Sequence, residues 1–363
     1  MKLNESPFLL RSFSVKGKLY LDSYVYAQMY TNTDASKGFG LRYNKISAIK
    51  AGLGEHIERL CAVSNFRKQE VINSYPVIDC FNLLTGDIAK VQADIIFLNF
   101  DLPMFKNIDA TNYFTDSCGL ASHITSMEAI EGGLNEFIER QSLVTNWLTK
   151  SPGEKISYSL LKEKNSTNIK LLNMIKLAEN MSDVIFSYNI SLIEGIYVIL
   201  TVGTKGIAFS SGVGTDSLLE KAIEKSLNEY LMIIESCLIK DQIDEKFLDI
   251  YAANFYSLTV EEFLESYKYL LEGGDLLTEL SYSSQKNKME NWILNLKEKY
   301  GLNIFACFLP HPMKHINSKV VKVFSPEGFP HINTELFDPE EYEISKYLIG
   351  KEFYNKYKSI PFA

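Results

Sequence analysis

The residues best suited to chemistry in this sequence are glutamates and arginines that recur with one spacing. Residues 51–60 align with residues 132–141, and both copies carry the pattern E-x-x-E-R. The matching positions are Gly52, Leu53, Glu55, Ile57, Glu58 and Arg59 in the first copy and Gly133, Leu134, Glu136, Ile138, Glu139 and Arg140 in the second. A weaker third copy at 226–231 contributes Glu229. This repetition predicts related helices within a larger unit.

On a helix, the first copy gathers its charges on one side. Glu58 and Arg59 lie within about 60° of Glu55 at 100° per residue. One interpretation is a solvated face with a Glu55–Arg59 pair worth about 0.2–0.5 kcal/mol. The apolar residues expected on the opposite, buried face are Ile46, Leu53, Ile57 and Leu60.

The small residues beside these charges favour a second interpretation. Ala48, Ala51 and Gly52 flank Glu55, where a solvated face would carry long polar side chains. A glycine inside a helix costs roughly 1 kcal/mol relative to alanine, so it needs a packing reason. We therefore expect another helix or a ligand to approach this side closely.

The second copy has more oxygen acceptors on one side of its helix. They are Glu128, Glu131, Asn135, Glu136 and Glu139. Glu128 also has a simpler explanation, because Thr125 and Glu128 form the T-x-x-E pattern of a capping box. Two acidic faces of this kind would suit Mg²⁺, which prefers oxygen ligands and usually arrives with substrate phosphates.

The two arginines complete the prediction of a magnesium–nucleotide site. Arg59 and Arg140 can bind phosphate oxygens through two parallel hydrogen bonds. The sequence contains neither a GxxxxGK[ST] loop nor a GxGxxG turn after a strand. The predicted site therefore uses neither a Walker nor a Rossmann loop.

Composition makes several other classes improbable. The formal net charge of −8 disfavours nucleic-acid and membrane-surface binding. Five cysteines without a CxxC pair argue against disulfides and cysteine zinc sites, and they favour a reducing cytoplasm. His311 and His315 have zinc-like spacing but no further ligand cluster. Neither a signal peptide nor a transmembrane helix is predicted.

The elements that must position these residues alternate between strands and helices, which indicates an α/β or α+β protein. Strands are predicted at 19–30, 71–78, 88–98, 183–187, 195–202 and 320–324. Helices are predicted at 46–66, 126–148, 217–240, 260–271 and 289–300. No Pro/Ser/Gly-rich linker interrupts the chain, so we expect one domain over 1–363.

These motifs resemble the YcaO superfamily, whose members use ATP to activate peptide backbone amides. The family combines three Gly- or Ser-containing turns with glutamate-bearing helices and a late K-V-x-x-P segment. The matching segments are Lys37–Gly40 with Gly52–Arg59, Asp116–Gly119 with Glu128–Arg140, Ser210–Gly212 with Glu229, and Lys322–Pro326. Gly52 stands where the family usually has serine.

The resemblance implies a composite α+β fold of mixed or antiparallel sheets packed by helices, with internal pseudo-repeats. It implies an N-terminal strand region at 1–30 and a tail at 355–363 that reaches the active site. The implied Mg²⁺ ligands are Glu55, Glu58, Glu128, Glu136 and Glu139. The implied ATP-site residues are Lys37, Arg59, Asn135, Arg140 and Glu229. The implied catalytic tail residues are Pro361 and Ala363, where relatives carry a proline-rich end.

Within the family, the likeness is strongest to the cyclodehydratase subunits of microcin B17-type synthetases. It implies conversion of Cys, Ser or Thr in a ribosomal precursor peptide to azolines. It also implies an E1-like leader-recognition partner and an FMN-dependent azoline dehydrogenase. Two alternatives remain open: thioamide or amidine formation at the same ATP site, and a catalytically silent scaffold that docks a partner.

Overall fold

The computed structural model describes residues 10–18, 21–31, 37–42, 44–70, 77–97, 116–164, 167–238, 250–277, 289–311 and 317–362. The chain divides into two compact units. The first comprises Met1–Phe137 and Leu302–His331, and the second comprises Ile138–Gly301 and Ile332–Ala363. Both combine antiparallel sheets with helices, which confirms the α+β class. The single domain over 1–363 stays a prediction.

The first unit contains two antiparallel sheets and the helices that pack on them. Its strands are β1 (Leu10–Lys18), β2 (Leu21–Thr31), β3 (Lys37–Arg42), β4 (Val77–Asn82), β5 (Ile88–Gln92), β6 (Leu120–His123), β11 (Phe305–Leu309) and β12 (Lys319–Phe324). Its helices are α1 (Lys45–Glu70) and α2 (Ala93–Ile96). The sheets have the orders β1-β2-β3 and β5-β4-β11-β12-β6. The core includes Ile57, Cys61, Leu120, Cys307 and Phe324.

One helix, α3 (Ser126–Thr149), begins in the first unit and contributes its residues from Ile138 onward to the second. The second unit holds a sheet of order β10-β9-β8-β7. Its strands are β7 (Glu154–Ile156), β8 (Val184–Asn189), β9 (Tyr197–Lys205) and β10 (Ala208–Asp216). Its helices are α4 (Tyr158–Lys164), α5 (Ile169–Asn180), α6 (Leu219–Leu238), α7 (Ile250–Ser257), α8 (Val260–Ser266), α9 (Lys268–Leu271), α10 (Met289–Tyr300) and α11 (Glu343–Tyr347).

Glycine-bearing strands pack directly on two of the repeated helices. A Cβ on Gly38 or Gly40 of β3 would collide with the α1 backbone at Gly52 or Ala48. A close neighbour was predicted for the small residues of α1, but it is strand β3 and not the expected helix or ligand. This packing also corrects the predicted buried face, because Ile46 is 68% exposed. Leu53 is also exposed, at 37%, whereas Ile57 and Leu60 are buried as predicted.

The same arrangement recurs in the second unit between β10 and α6. A Cβ on Gly212 or Gly214 would collide with the α6 backbone near Ser226. Residues 208–215 are all buried, as expected for a strand pressed against a helix. Lys37–Gly40 and Ser210–Gly212, which the sequence suggested as turns, are thus parts of strands β3 and β10.

Candidate active site

The three copies of the repeated pattern lie on α1, α3 and α6, and equivalent positions have equivalent surroundings. The equivalent sets are Ala48, Ala129 and Ala222, then Gly52, Gly133 and Ser226, and then Glu55, Glu136 and Glu229. The alanines, the glycines and the serine are buried, and the glutamates are all partly exposed. The weak third copy therefore has the same local structure as the first two.

In the first unit, α1 presents its charged residues as predicted. The Arg59 Nη2 lies 2.6 Å from the Glu55 Oε1, so the i,i+4 pair forms. The Glu58 Oε1 accepts the backbone N–H of Ser122 at 2.8 Å. The Ser122 Oγ in turn donates to the carbonyl of Gly54 at 3.1 Å. Strand β6 thereby fixes the Glu58 carboxylate.

The surroundings of Glu58 resist a negative charge. Burial raises the pKa of Glu58 to about 8, and the negative charge of Glu55 adds to this rise. The hydrogen bonds from Ser122 and the positive charge of Arg59 oppose it only in part. A carboxylate that is desolvated beside another carboxylate favours a proton or a cation.

Three predicted site residues on the first-unit part of α3 differ in their surroundings. Thr125 caps the N-terminus of α3, because its Oγ1 accepts the backbone N–H of Glu128 at 3.3 Å. The Glu128 carboxylate accepts the Thr125 hydroxyl at 2.5 Å and lies 2.7 Å from the His123 Nδ1. The structure thus shows the Thr125 half of the predicted capping box, whereas the Glu128 carboxylate bonds to the Thr125 hydroxyl and its side chain is 53% exposed. The Asn135 Oδ1, in contrast, is buried without a hydrogen-bond partner. Glu136 is partly exposed.

Two of the segments singled out in the sequence meet beside β6. The buried Lys322 Nζ donates to the Asp116 carbonyl at 2.6 Å and lies 3.5 Å from its Oδ1. The Asp116 Oδ1 also accepts the backbone N–H of Cys118 at 3.0 Å. Gly119 has a φ of +73°, and a Cβ there would collide with the Val323 carbonyl. The predicted turn at 116–119 is thus held in one conformation.

In the second unit, Glu139 and Arg140 are both held by neighbours. The Thr215 Oγ1 at the end of β10 donates to the Glu139 Oε2 at 2.8 Å. The Arg140 Nη2 lies 3.8 Å from the Glu139 Oε1. The Arg140 guanidinium lies 4.9 Å from the centre of the Phe362 ring, which is within cation–π range. This carboxylate and this guanidinium are therefore preorganised.

The C-terminal tail is docked, as the aromatic and apolar ending suggests. The Pro361 carbonyl accepts the Tyr267 hydroxyl at 2.9 Å and the Ser211 hydroxyl at 3.2 Å. Ile360 and Phe362 are each 1% exposed. The prediction for Ala363 lies outside the described residues.

The two remaining predicted residues lie on β3 and α6. The Glu229 Oε2 accepts the backbone N–H of Val213 at 2.6 Å, which joins α6 to β10. Lys37 is the first residue of β3, and its side chain is not among those described. Their nucleotide contacts stay predictions.

The donor set fits Mg²⁺ in kind, although the described residues contain no preassembled group of three His, Cys, Asp or Glu side chains for a metal. The predicted ligands are oxygen donors, as Mg²⁺ prefers. The Asn135 Oδ1 accepts no hydrogen bond. The raised pKa of Glu58 means that its charged carboxylate is unfavourable unless a further cation binds beside it. Both observations suit a ligand set completed by a positive ion.

Several contacts of these residues were not predicted from sequence. Ser122, Thr215, Ser211 and Tyr267 position the predicted residues, yet they belong to no predicted ligand set. Thr215 is 76 positions from Glu139 along the chain. A sequence signal existed only for Ser211, within the Ser210–Gly212 segment.

Comparison with known proteins assigns this fold and these motifs to one class. A family described as YcaO cyclodehydratase, ATP- and Mg²⁺-binding, matches residues 55–328. This chain belongs to the YcaO family, and it is an ATP-dependent cyclodehydratase. The match covers the glutamates of all three helix repeats.

One relative is the microcin B17-processing protein McbD of Escherichia coli. It is 27% identical over 293 residues, which are 76% of this chain and 70% of the relative. A solved structure, the E. coli microcin synthetase McbBCD complex with pro-MccB17 bound, matches with a TM-score of 0.73 at 20% identity, covering 100% of this chain and 99% of that chain. The YcaO protein from Methanopyrus kandleri bound with AMPPCP and Mg²⁺ matches with a TM-score of 0.66 at 15% identity, covering 88% and 85%. These structures share the fold.

No helix in the described part of the chain has the length and apolar character that a membrane span requires. No disulfide joins any of the five cysteines, all of which lie in described segments.

Proposed function

We propose that this protein converts Cys, Ser or Thr residues of a ribosomal precursor peptide to azolines. In this reaction the side-chain thiol or hydroxyl adds to the preceding backbone carbonyl. The carbonyl oxygen then takes the terminal phosphoryl group of ATP, and it leaves as phosphate when the C=N bond forms. The net change is the loss of one water from the peptide, with ATP converted to ADP and phosphate.

The observation that carries this proposal is the preorganised pair Glu139–Arg140 on a helix that repeats the pattern of α1. Thr215 fixes the carboxylate and Phe362 covers the guanidinium. A scaffold that only docks a partner has no need for paired carboxylates and arginines held in this way. The similarity to a microcin-processing protein supports the azoline product.

We assign Mg²⁺ binding to Glu55, Glu58, Glu128, Glu136 and Glu139, with Asn135 as a further oxygen donor. In such a site Mg²⁺ would neutralise charge on the phosphates. We assign phosphate binding to Arg59 and Arg140, and nucleotide contacts to Lys37 and Glu229. In this proposal the glutamates bind the metal and the arginines orient the phosphates, and none of these residues transfers a proton. The Glu128 carboxylate would have to leave the Thr125 hydroxyl and His123 to contribute.

We further propose that the chain works with partner proteins in the cytoplasm. One partner would recognise the leader of the precursor, and an FMN-dependent dehydrogenase would oxidise the azolines. The support is that the similar E. coli structure is a complex with pro-MccB17 bound. The five cysteines without disulfides suit a reducing compartment.

Mass spectrometry of a candidate precursor tests the reaction directly. The peptide is incubated with this chain, its leader-binding partner, ATP and Mg²⁺, and the expected product has lost the mass of one water per ring. Sulfur-for-oxygen exchange in the presence of a sulfide source would instead indicate thioamide formation. An unmodified peptide despite ATP binding would support the silent scaffold and overturn the proposal.

Leader-peptide binding tests whether this chain requires a partner protein. We expect the isolated chain to bind the precursor leader weakly and to turn over ATP slowly. A titration of labelled leader peptide into this chain, with and without the partner, measures the difference. Sub-micromolar binding by the chain alone would contradict the assignment of leader recognition to the partner.

A further inference from the structure

Thr215, near the end of β10, holds one oxygen of the Glu139 carboxylate. Its Oγ1 donates to the Glu139 Oε2 at 2.8 Å, while the Glu139 Oε1 lies 3.8 Å from the Arg140 Nη2. The side chains of Glu139 and Arg140 are only 13% and 15% exposed. A glutamate side chain has three rotatable bonds, and a hydrogen bond to one oxygen restricts the orientation of the other. The Thr215 hydroxyl therefore sets the direction in which the Glu139 Oε1 points.

A lysine on α6 in turn holds the backbone at Thr215. The Lys225 Nζ donates to the Thr215 carbonyl at 2.6 Å and lies 3.0 Å from the Asp216 Oδ2. The Asp216 Oδ1 accepts the backbone N–H of Leu218 at 3.1 Å, at the turn that leads into α6. A Cβ on Gly214 would lie 2.7 Å from the Lys225 Cβ, so this glycine allows Lys225 to approach β10. One ammonium thus ties the last two residues of β10 to α6.

These contacts form a continuous series from α6 through β10 to α3. Thr215 is 2% exposed, and it pairs with Val198 of β9. Because threonine is β-branched, its χ1 is restricted once its backbone is fixed. The Lys225 side chain is 50% exposed, so solvent screens its charge. Lys225 therefore acts on Glu139 by fixing the position of Thr215 rather than through its own field.

The first copy of the repeat has an analogous contact. Glu58, which is equivalent to Glu139, accepts the backbone N–H of Ser122 on β6 at 2.8 Å. In both copies, the second glutamate of E-x-x-E-R is held by the strand that precedes the next repeated helix. This recurrence points to a common purpose of the two contacts. The contact made by Thr215 uses a side chain, so a substitution can remove it.

We propose that Thr215 and Lys225 are positioning residues for Glu139 as a Mg²⁺ ligand. The inference rests on the proposed function, in which Glu139 binds Mg²⁺ beside the phosphates of ATP. Removal of a group that orients a metal ligand commonly lowers metal affinity by about 10–100-fold. Neither Thr215 nor Lys225 belongs to the E-x-x-E-R pattern or to the proposed ligand set.

Binding of a non-hydrolysable ATP analogue tests this role without catalysis. AMPPCP is titrated into the full-length chain in a calorimeter at a series of Mg²⁺ concentrations. We expect Thr215→Val to raise the half-saturating Mg²⁺ concentration about tenfold, and Thr215→Ser, which keeps the hydroxyl, to restore most of the affinity. Lys225→Met should raise it less. The double variant should bind no more weakly than Thr215→Val alone, because Lys225 acts through Thr215.

The matched control is Thr201→Val on β9. The Thr201 Oγ1 lies 2.7 Å from the hydroxyls of both Ser187 and Ser226, and the residue is 0% exposed. Both valine variants lose a buried, paired hydroxyl, so both should lower the melting temperature. Only Thr215→Val should change the dependence on Mg²⁺.

Three results would count against these assignments. The positioning role is overturned if Thr215→Val keeps the Mg²⁺ dependence of the wild type, or if Thr201→Val shifts it equally. Additive effects of Thr215→Val and Lys225→Met would exclude Lys225 from that role. A wild-type chain without Mg²⁺-dependent AMPPCP binding would instead refute the proposed function on which the inference rests.

Discussion

At the scale of single residues, neighbouring glutamates of α1 have different surroundings. Glu55 pairs with Arg59, whereas Glu58 accepts a backbone N–H and is desolvated beside Glu55. Helical spacing places both on one side of α1, but it does not reveal this difference. The charge of Glu58 therefore depends on what binds nearby.

The metal-free protein should lose stability as the pH rises from 4.5 to about 8. In this window folded Glu58 keeps a proton that the unfolded chain has released, so rising pH favours the unfolded state. Glu58→Gln cannot ionise and should remove this slope. Urea unfolding at several pH values in the presence of EDTA measures it. An unchanged slope in the variant would show that another group titrates.

Glu139→Gln and Glu55→Gln should each abolish ATP turnover and leave the fold intact. The amide oxygen introduced at position 139 can still accept the Thr215 hydroxyl, so this variant should keep the fold. A neutral amide, however, is a weaker ligand for Mg²⁺ than a carboxylate. Steady-state ATPase assays measure the loss.

The matched control is Glu298→Gln, which changes an exposed glutamate on α10. It should retain full ATPase activity and wild-type stability. Normal turnover by both site variants would refute the assignment of these carboxylates to Mg²⁺.

At the scale of elements, the glycines of β3 and β10 set how closely strand and helix approach. Both strands pair a G-x-G segment with the small residues of a repeated helix. The contact places Glu55 and Glu229 at equivalent positions of α1 and α6. Strand–helix spacing therefore determines where the glutamate-bearing faces of these helices lie.

Gly212→Ala should destabilise the protein by about 1–3 kcal/mol, because the added methyl overpacks against the α6 backbone. The contrasting variant is Gly54→Ala on α1. Its Cβ would meet only the Ser122 Oγ at 3.4 Å, an ordinary contact, so it should gain roughly 0.5–1 kcal/mol of helix stability. Urea unfolding compares the two. Equal effects of the same sign would disprove the proposed close approach.

At the scale of the whole molecule, the end of the chain packs beside Arg140, which is a proposed phosphate-binding residue of the second unit. The tail is fastened by Tyr267 and Ser211 at Pro361, and Phe362 lies against Arg140. Because Ile360 and Phe362 are buried, deletion of the tail would lower stability together with activity. A milder change is needed to separate the two effects.

Phe362→Leu keeps an apolar side chain and should cost less stability than Phe362→Ala, for which about 3–5 kcal/mol is expected. It removes the ring that covers the Arg140 guanidinium, so we expect the KM for ATP to rise by several fold. Steady-state kinetics over a range of ATP concentrations, with a melting curve, test this. Unchanged kinetics in a stable variant would limit Phe362 to a packing role.

Local patterns in the sequence were sufficient to predict the main helices and the family. The predicted helices at 126–148 and 289–300 agree with α3 and α10, because apolar periodicity of 3.6 residues is a local signal. The double E-x-x-E-R pattern identified the family because both copies keep its charged residues in order. Helical spacing also placed Glu55, Glu58 and Arg59 on one side of α1.

Long-range packing set the features that these local signals could not predict. Strand β10, rich in glycine and serine, was not predicted because its residues have low strand propensity and become a strand by packing on α6. The predicted helix at 260–271 is divided into α8 and α9. Thr215 reaches Glu139, and Tyr267 reaches Pro361, across long stretches of chain. Hydrophobic periodicity predicts which side of a helix or strand is buried. It does not predict which element packs against that side, because that depends on contacts between segments far apart in the sequence.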